Sequence, residues 1–295
     1  MALSPPPSTP WVSRIPDFLQ LLRLDRPIGS LLLLWPTLWA LWISGEGSPN
    51  VKVTLIFSLG VILMRSAGCV INDIADRKID GLVERTKNRP LATHKITLLE
   101  ALITFAILIS LAFILVLFTN LFTILLSFGA AAIACTYPLM KRFTYLPQVV
   151  LGAAFAWCIP MAFAAHMNEI PAYAWLIYVA TLIWIVAYDT MYAMVDRNDD
   201  IKIGVKSTAI LFGENDRAMI AILQLLTLIC LSLLGSNLDF NIYYNLSLVV
   251  VAVLFLYQQT LIRRRSREGC MKAFLNNNWV GMAVFVGILM HYLTV

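Results

Sequence analysis

The sequence predicts an all-α integral membrane protein with nine transmembrane helices and a cytoplasmic N-terminus. Three observations carry that expectation. Of the 295 residues, 60% are hydrophobic and 13% are charged, about half the charge of an ordinary soluble domain. The apolar residues fall in runs of roughly 18 to 24, each long enough to cross a bilayer. The basic residues also sort by side: of 22 Lys and Arg, 20 lie before the first run or in every second connection. Only Lys52 falls on the opposite side, and Arg65 lies inside the second run. Nine spans starting in the cytoplasm require that alternation.

In order, the expected spans are 28–44, 51–71, 97–118, 120–138, 146–165, 171–190, 218–236, 242–261 and 277–294. Pro27 suits a first helical position, after Arg14, Arg23 and Arg26 on the cytoplasmic side. Residues 72–96 form a long polar connection, and Thr97 with Glu100 reads as a capping box opening the third span. Thr119–Asn120 and residues 166–171 are short turns with little charge. Lys141 and Arg142 separate the fourth and fifth spans, and a second polar connection covers 189–217. Arg263, Arg264, Arg265, Arg267 and Lys272 precede the last span, where they set orientation and face anionic headgroups.

The chemistry these features exclude is as informative. The net charge of +5 sits in short loops and is no nucleic-acid signal. Five cysteines show no CxxC pair, which argues against a disulfide framework or thiolate metal site. Residues 1–10 are Pro/Ser-rich and uncharged, unlike a signal or transit peptide, and read as a disordered tail. Residues 1–26 form a cytoplasmic tail and lead-in, and 27–295 one membrane domain.

The candidate site starts at the end of the second span. At about 100° per residue, Asn72, Asp73, Asp76 and Asp80 fall within an arc of about 100°. Crowded carboxylates repel unless a cation neutralises them, and acid at the rim of an apolar span marks a site. A second cluster closes the sixth span, where Asp189, Asp196 and Asp200 lie within about 40° of one another. One such cluster alone is ordinary for a span end. Two at the same membrane face point to divalent cations held between them. Carboxylate and amide oxygens without His or Cys select a hard ion, usually Mg²⁺, which also binds phosphate. Arg77, Lys141, Arg142, Lys202 and Lys206 stand in the same loops and complete a diphosphate site. Arg65, seven residues before Asn72 and about 10 Å deeper, admits two readings: a clamp for a substrate carboxylate, or an internal salt bridge. The aromatics of span one, Trp35, Trp39 and Trp42, either face a carbocation or form an interfacial belt.

These motifs resemble the UbiA-type intramembrane prenyltransferases. Asn72-Asp73-x-x-Asp76-x-x-x-Asp80 is similar to that family's first aspartate-rich motif, and Asp196-x-x-x-Asp200, after Asp189, to its second. The likeness extends through Arg26-Pro27-Ile28-Gly29, Arg89-Pro90-Leu91, Tyr137-Pro138 with Lys141-Arg142, and residues 206–213. The Tyr192-Ala193-Met194-x-Asp196 and 206–213 runs point to the 4-hydroxybenzoate polyprenyltransferase branch. The resemblance implies nine helices around a central cavity in a bacterial inner membrane, with the active site facing the cytoplasm. It implies Mg²⁺, a polyprenyl diphosphate donor and 4-hydroxybenzoate as acceptor, prenylated at the carbon ortho to its hydroxyl. By position, Asn72 and Asp76 serve one metal and Asp196 and Asp200 the other. Asp80 supports the site, Asp73 and Asp189 are further candidate metal ligands, Lys141 and Arg142 contact diphosphate, and Arg65 and Tyr137 are the candidate acceptor-binding residues. A relative with another aromatic or tetrapyrrole acceptor, and a secondary transporter, are the alternatives; a transporter calls for polar groups and broken helices at mid-membrane.

Overall fold

The computed structural model describes residues 11–295, with side chains from Ser13 onward. The expected disordered stretch 1–10 lies outside the described residues. The lead-in contains a helix, α1 (Trp11–Leu21).

Among the described residues every regular element is helical: α2 (Ile28–Ser44), α3 (Val51–Asp76), α4 (Leu98–Leu117), α5 (Leu121–Phe143), α6 (Pro147–Ala156), α7 (Cys158–Met167), α8 (Ala172–Ile203), α9 (Thr208–Phe212), α10 (Asp216–Asn237), α11 (Ile242–Leu261) and α12 (Arg267–Thr294). Eight helical segments are long and apolar enough to cross a membrane, taking α6 with α7 and α9 with α10; α2 is apolar but only 17 residues long. Each of the nine expected spans is therefore a helix.

The helix starts are written locally. Asn50, Asn120, Ser207, Asn241 and Ser266 each accept a backbone N–H of the first turn of the helix they precede. Thr97 and Glu100 form the expected capping box. Such caps satisfy donors that have no partner within the helix.

Several boundaries differ from expectation; the last span, expected from residue 277, already begins at Arg267. The fifth span breaks at Trp157 into α6 and α7, because Pro160 lacks an N–H and its ring crowds the carbonyl four residues earlier. The sixth span does not stop at residue 190: α8 runs on to Ile203 and ends at Gly204 in the left-handed region (φ 73°). The whole second acidic cluster is thus helical. Conversely, α3 stops at Asp76, and Asp80 opens a separate 3₁₀ turn. Asp80 therefore reaches the site through the loop fold and not by continuing the helix face.

α8 is the central helix, packed on α6, α10 and α12, while α2 packs on α12 and α7, and α3 on α4. Trp39, Phe163, Trp184 and Tyr244 are the largest fully buried side chains. Close packing depends on small residues; a Cβ at Gly281 of α12 would lie 2.6 Å from Trp35 of α2. The outer faces of α4, α5 and α11 stay apolar and exposed, as at Leu121 and Leu256, which suits lipid contact. The five cysteines are free thiols.

The polar connections gather at one end of the bundle. There Lys141 at the end of α5 pairs with Asp76 at the end of α3, and Arg267 at the start of α12 pairs with Asp199 of α8. At the other end the turns are knit by His166, which meets Ser44 Oγ at 3.0 Å and accepts the Asn50 N–H at 3.0 Å. His291 accepts the Asn241 N–H there too. Both histidines thus have structural partners.

Candidate active site

A cavity of about 1040 Å³ opens among α2, α3, α5 and α8 under the 77–97 loop. Its lining includes both acidic clusters and the buried apolar side chains Phe57, Val61 and Leu151. The loop is folded down by its own apolar residues, Val83, Leu91 and Ile96, which are buried. Thr86 Oγ1 donates to the Asp80 carbonyl at 2.8 Å and closes the first turn.

Around the rim, acids and bases interleave. Arg23 donates to both oxygens of Asp73 at 2.9 and 3.0 Å. Arg89 bridges Asp73 (3.0 Å) and Asp80 (3.0 and 3.1 Å). Lys141 pairs with Asp76 Oδ2. Arg85 forks onto Asp196, its Nε at 2.9 and 3.1 Å from the two oxygens, and lies 4.5 Å over the Tyr192 ring. Burial works against the Arg89 charge, but Asp73 and Asp80 raise its pKa above the ordinary arginine value. Asp73, Asp76, Asp80 and Asp196 are all buried, and buried carboxylates without these cations would be costly. Asp76 Oδ1 is buried without a hydrogen-bond partner, and Asp200 holds no ion pair among the described residues.

Most of the expected ligands share this cavity. Asn72, Asp73, Asp76, Asp80, Asp189, Asp196 and Asp200 all line it, as do Lys141, Lys206, Arg65 and Tyr137. Arg77, Arg142 and Lys202 do not. Arg77 turns back to the Ile74 carbonyl (2.8 Å), Arg142 reaches the Ala75 carbonyl (2.7 Å), and Lys202 is exposed on the outer side of α8. His94 is exposed in the loop, away from the cavity.

The sequence does not single out Arg23 or Arg85 as site residues; Arg89 it places among the loop bases of the diphosphate site and in a motif, without an acid partner. The available signal was their company: Arg85 and Arg89 stand in the polar connection after the first acidic motif, and Arg23 stands just before Arg26-Pro27. No periodicity spans the separations of 50 and 111 residues to their partners. Gln148 was also missed; it lies in the lining and accepts the Thr208 N–H at 3.0 Å, tying α6 to the start of α9.

Below the rim the character changes. Arg65 has no salt bridge among the described residues, and its Nε is buried without a partner. Its guanidinium lies against α2 at Gly29, where an added Cβ would be 2.5 Å from both Nε and Nη2. Glycine is thus what admits it. Asp189 likewise has no hydrogen-bond or ion-pair partner among the described residues; it lies about two helical turns before Asp196 along α8 and within electrostatic reach of Arg65 and Tyr137. Tyr188 Oη is also buried without a partner.

Comparison with known proteins agrees with this geometry. Residues 33–285 match the UbiA prenyltransferase family. A protein of Hahella chejuensis named 4-hydroxybenzoate octaprenyltransferase is 64% identical over 281 residues, covering 95% of this chain and 94% of its own. One of the same name from Pseudomonas syringae pv. tomato is 58% identical and covers 94% and 93%. Among solved structures, a UbiA homologue from Aeropyrum pernix superposes with a TM-score of 0.78 at 23% identity, over 91% of this chain and 98% of that one. A homologue from Archaeoglobus fulgidus bound to GPP and Mg²⁺ gives 0.73 at 20% identity, over 95% and 100%. These two share the fold. With sequence likeness running over nearly the whole length, the chain belongs to the UbiA prenyltransferase family.

Proposed function

We propose that the protein transfers a polyprenyl group from polyprenyl diphosphate to the ring carbon ortho to the hydroxyl of 4-hydroxybenzoate, releasing diphosphate. The relatives that share well over half its residues carry that activity in their name. The structural observation that carries the reading is a single cavity joining an acid–base rim to a deeper, unpaired Arg65. The donor's phosphates suit the rim, and the acceptor's carboxylate suits Arg65. Residues 27–295 act as one prenyltransferase domain behind the 1–26 lead-in. The sorting of Lys and Arg supports a bacterial inner-membrane protein with the rim at the cytoplasmic face.

The rim fits Mg²⁺ by its donor chemistry. Asn72, Asp76, Asp196 and Asp200 offer only hard oxygens, and Asp76 Oδ1 is a buried acceptor with no partner. No three of the acids are gathered closely enough among the described residues to hold the ion by themselves, so Asn72, Asp76, Asp196 and Asp200 would share it with the donor's phosphate. When bound, Mg²⁺ neutralises charge accumulating on the leaving diphosphate. Lys141 and Arg85, held by Asp76 and Asp196 in the structure, are placed to turn to phosphate oxygens once those carboxylates change partner. Arg89 and Lys206 line the same rim. Phe57, Val61 and Leu151 exclude water from the allylic cation left when the C–O bond breaks. Arg65 and Tyr137 orient the ring so that its carbon ortho to the hydroxyl attacks. A C–C bond forms, and the ring proton leaves to a base or to the released diphosphate. The isoprenoid chain explains the membrane setting, since exposing it to water costs about 0.8 kcal/mol per CH₂.

Mass spectrometry of products formed in membranes given Mg²⁺, 4-hydroxybenzoate and prenyl diphosphates of mixed length tests the proposal. The expected product is 3-polyprenyl-4-hydroxybenzoate. Prenylation only of a different aromatic or tetrapyrrole acceptor would move the protein to another branch.

A further inference from the structure

Two buried donors in the cavity lack partners: Arg65 Nε and Tyr188 Oη. Buried polar groups are almost always satisfied, so each exception calls for an explanation. Arg65 can only donate, and a tyrosine hydroxyl can do the same. Two orphaned donors in the wall of one cavity call for one anionic acceptor.

Tyr188 is held with unusual firmness for a side chain whose polar atom bonds nothing. It is 2% exposed. Its ring meets Trp184 edge-on at 5.3 Å and Phe274 at 5.9 Å. Trp184 is stacked on Trp39 at 5.4 Å and donates its Nε1–H to Asn277 Oδ1 at 2.9 Å. Asn277 is fixed in turn by donating to the Ala273 carbonyl at 3.0 Å. Asn277 sits within Asn276-Asn277-Asn278 of α12, and these three reach different helices. Asn276 accepts from Gln258 of α11 (2.9 Å), and Asn278 accepts from Trp35 of α2 (2.9 Å). Three polar anchors on one helix fix its rotation, and with it the Trp184 ring that backs Tyr188. A rigid aromatic in the cavity wall whose buried hydroxyl has no partner matches a preorganised recognition group.

We propose that Tyr188 is a further acceptor-binding residue: its hydroxyl and Arg65 together take the carboxylate of the aromatic acid, with Asn277 positioning Tyr188 through Trp184. This rests on the functional reading above, in which that acid is 4-hydroxybenzoate.

The test is equilibrium binding of radiolabelled 4-hydroxybenzoate, and separately of phenol, to the purified full-length protein in nanodiscs without donor or Mg²⁺. Tyr188→Phe removes only the oxygen. It is expected to weaken 4-hydroxybenzoate binding roughly tenfold, leave phenol binding unchanged, and leave the melting temperature equal or higher, because an unsatisfied buried hydroxyl is gone. Asn277→Leu is expected to weaken 4-hydroxybenzoate binding as well, with partial recovery in Asn277→Gln. Unchanged 4-hydroxybenzoate affinity in Tyr188→Phe overturns the assignment. So does an equal loss of phenol binding, or a lowered melting temperature with no selective loss, since these mark a packing role. If the unmodified protein itself does not bind 4-hydroxybenzoate, the functional reading fails first and takes the assignment with it.

Discussion

The rim and the floor of the cavity hold charge in opposite ways. At the rim, Asp73, Asp76, Asp80 and Asp196 are each matched to an arginine or lysine. On the floor, Arg65, Asp189 and Tyr188 have no hydrogen-bond or ion-pair partner among the described residues. The rim is a set of mutual pairs, its carboxylates and cations neutralising each other; on the proposed function, a metal and a diphosphate would offer each a new partner. The floor instead holds polar groups without hydrogen-bond partners among the described residues, set in aromatic packing and against Gly29. A third cluster shows what a structural ion pair looks like by contrast. Asp216, fully buried, takes Arg197 Nη2 at 2.5 Å and Arg265 Nε at 3.0 Å, outside the main cavity.

Substitutions can break or sharpen this contrast, and the rim should be the more sensitive half. Asp76→Ala or Asp196→Ala is expected to cut prenyl transfer by more than about 100-fold at any Mg²⁺ concentration while the protein still inserts; chelation of divalent ions in the unmodified protein should do the same. Full activity in either variant across an Mg²⁺ titration would remove the metal assignment. On the floor, Arg65→Ala is expected to raise KM for the aromatic acid about 10- to 100-fold, with a smaller change for the prenyl donor. An unchanged acceptor KM ends the clamp reading. For the structural cluster, Asp216→Asn should cost about 3 kcal/mol in stability, read as a lower melting temperature, with both KM values unaltered. Gly29→Ala sharpens the floor: by crowding the guanidinium it should raise acceptor KM severalfold, and a still smaller effect would mean that α2 yields. The smallest effects belong to Arg142→Gln and Lys202→Gln, whose side chains lie off the cavity; changes in donor KM beyond about twofold would contradict that placement.

The fold was largely legible because lipid leaves the chain few options. Every backbone group in a span must bond within its own helix, so apolar run length maps onto helices, and the capping residues Asn50, Thr97 and Asn120 mark their starts. Boundaries at the charged end were less legible. Polarity alone suggested that α8 ended near residue 190, yet it runs to Ile203, because polar residues continue a helix as readily as end one when water can reach them. Asp80 shows the reverse case. Helical arithmetic put it on the right face for the wrong reason, since the chain leaves the helix at Asp76 and the loop brings it back to Arg89.

By itself the sequence determined the spans, the two acidic clusters and their shared side of the membrane, since these depend on local composition and on alternation along the chain. Only the tertiary structure decided which cations meet which acids. Arg23, Arg85 and Arg89 enter the cavity while Arg77, Arg142 and Lys202 turn away, a choice set by loop path and not by residue type. It also decided that Arg65 has no ion-pair or hydrogen-bond partner among the described residues, and that Tyr188 stands rigid and unsatisfied in the same cavity wall. Being unpaired is a property of everything around a side chain, and no pattern along one chain records it.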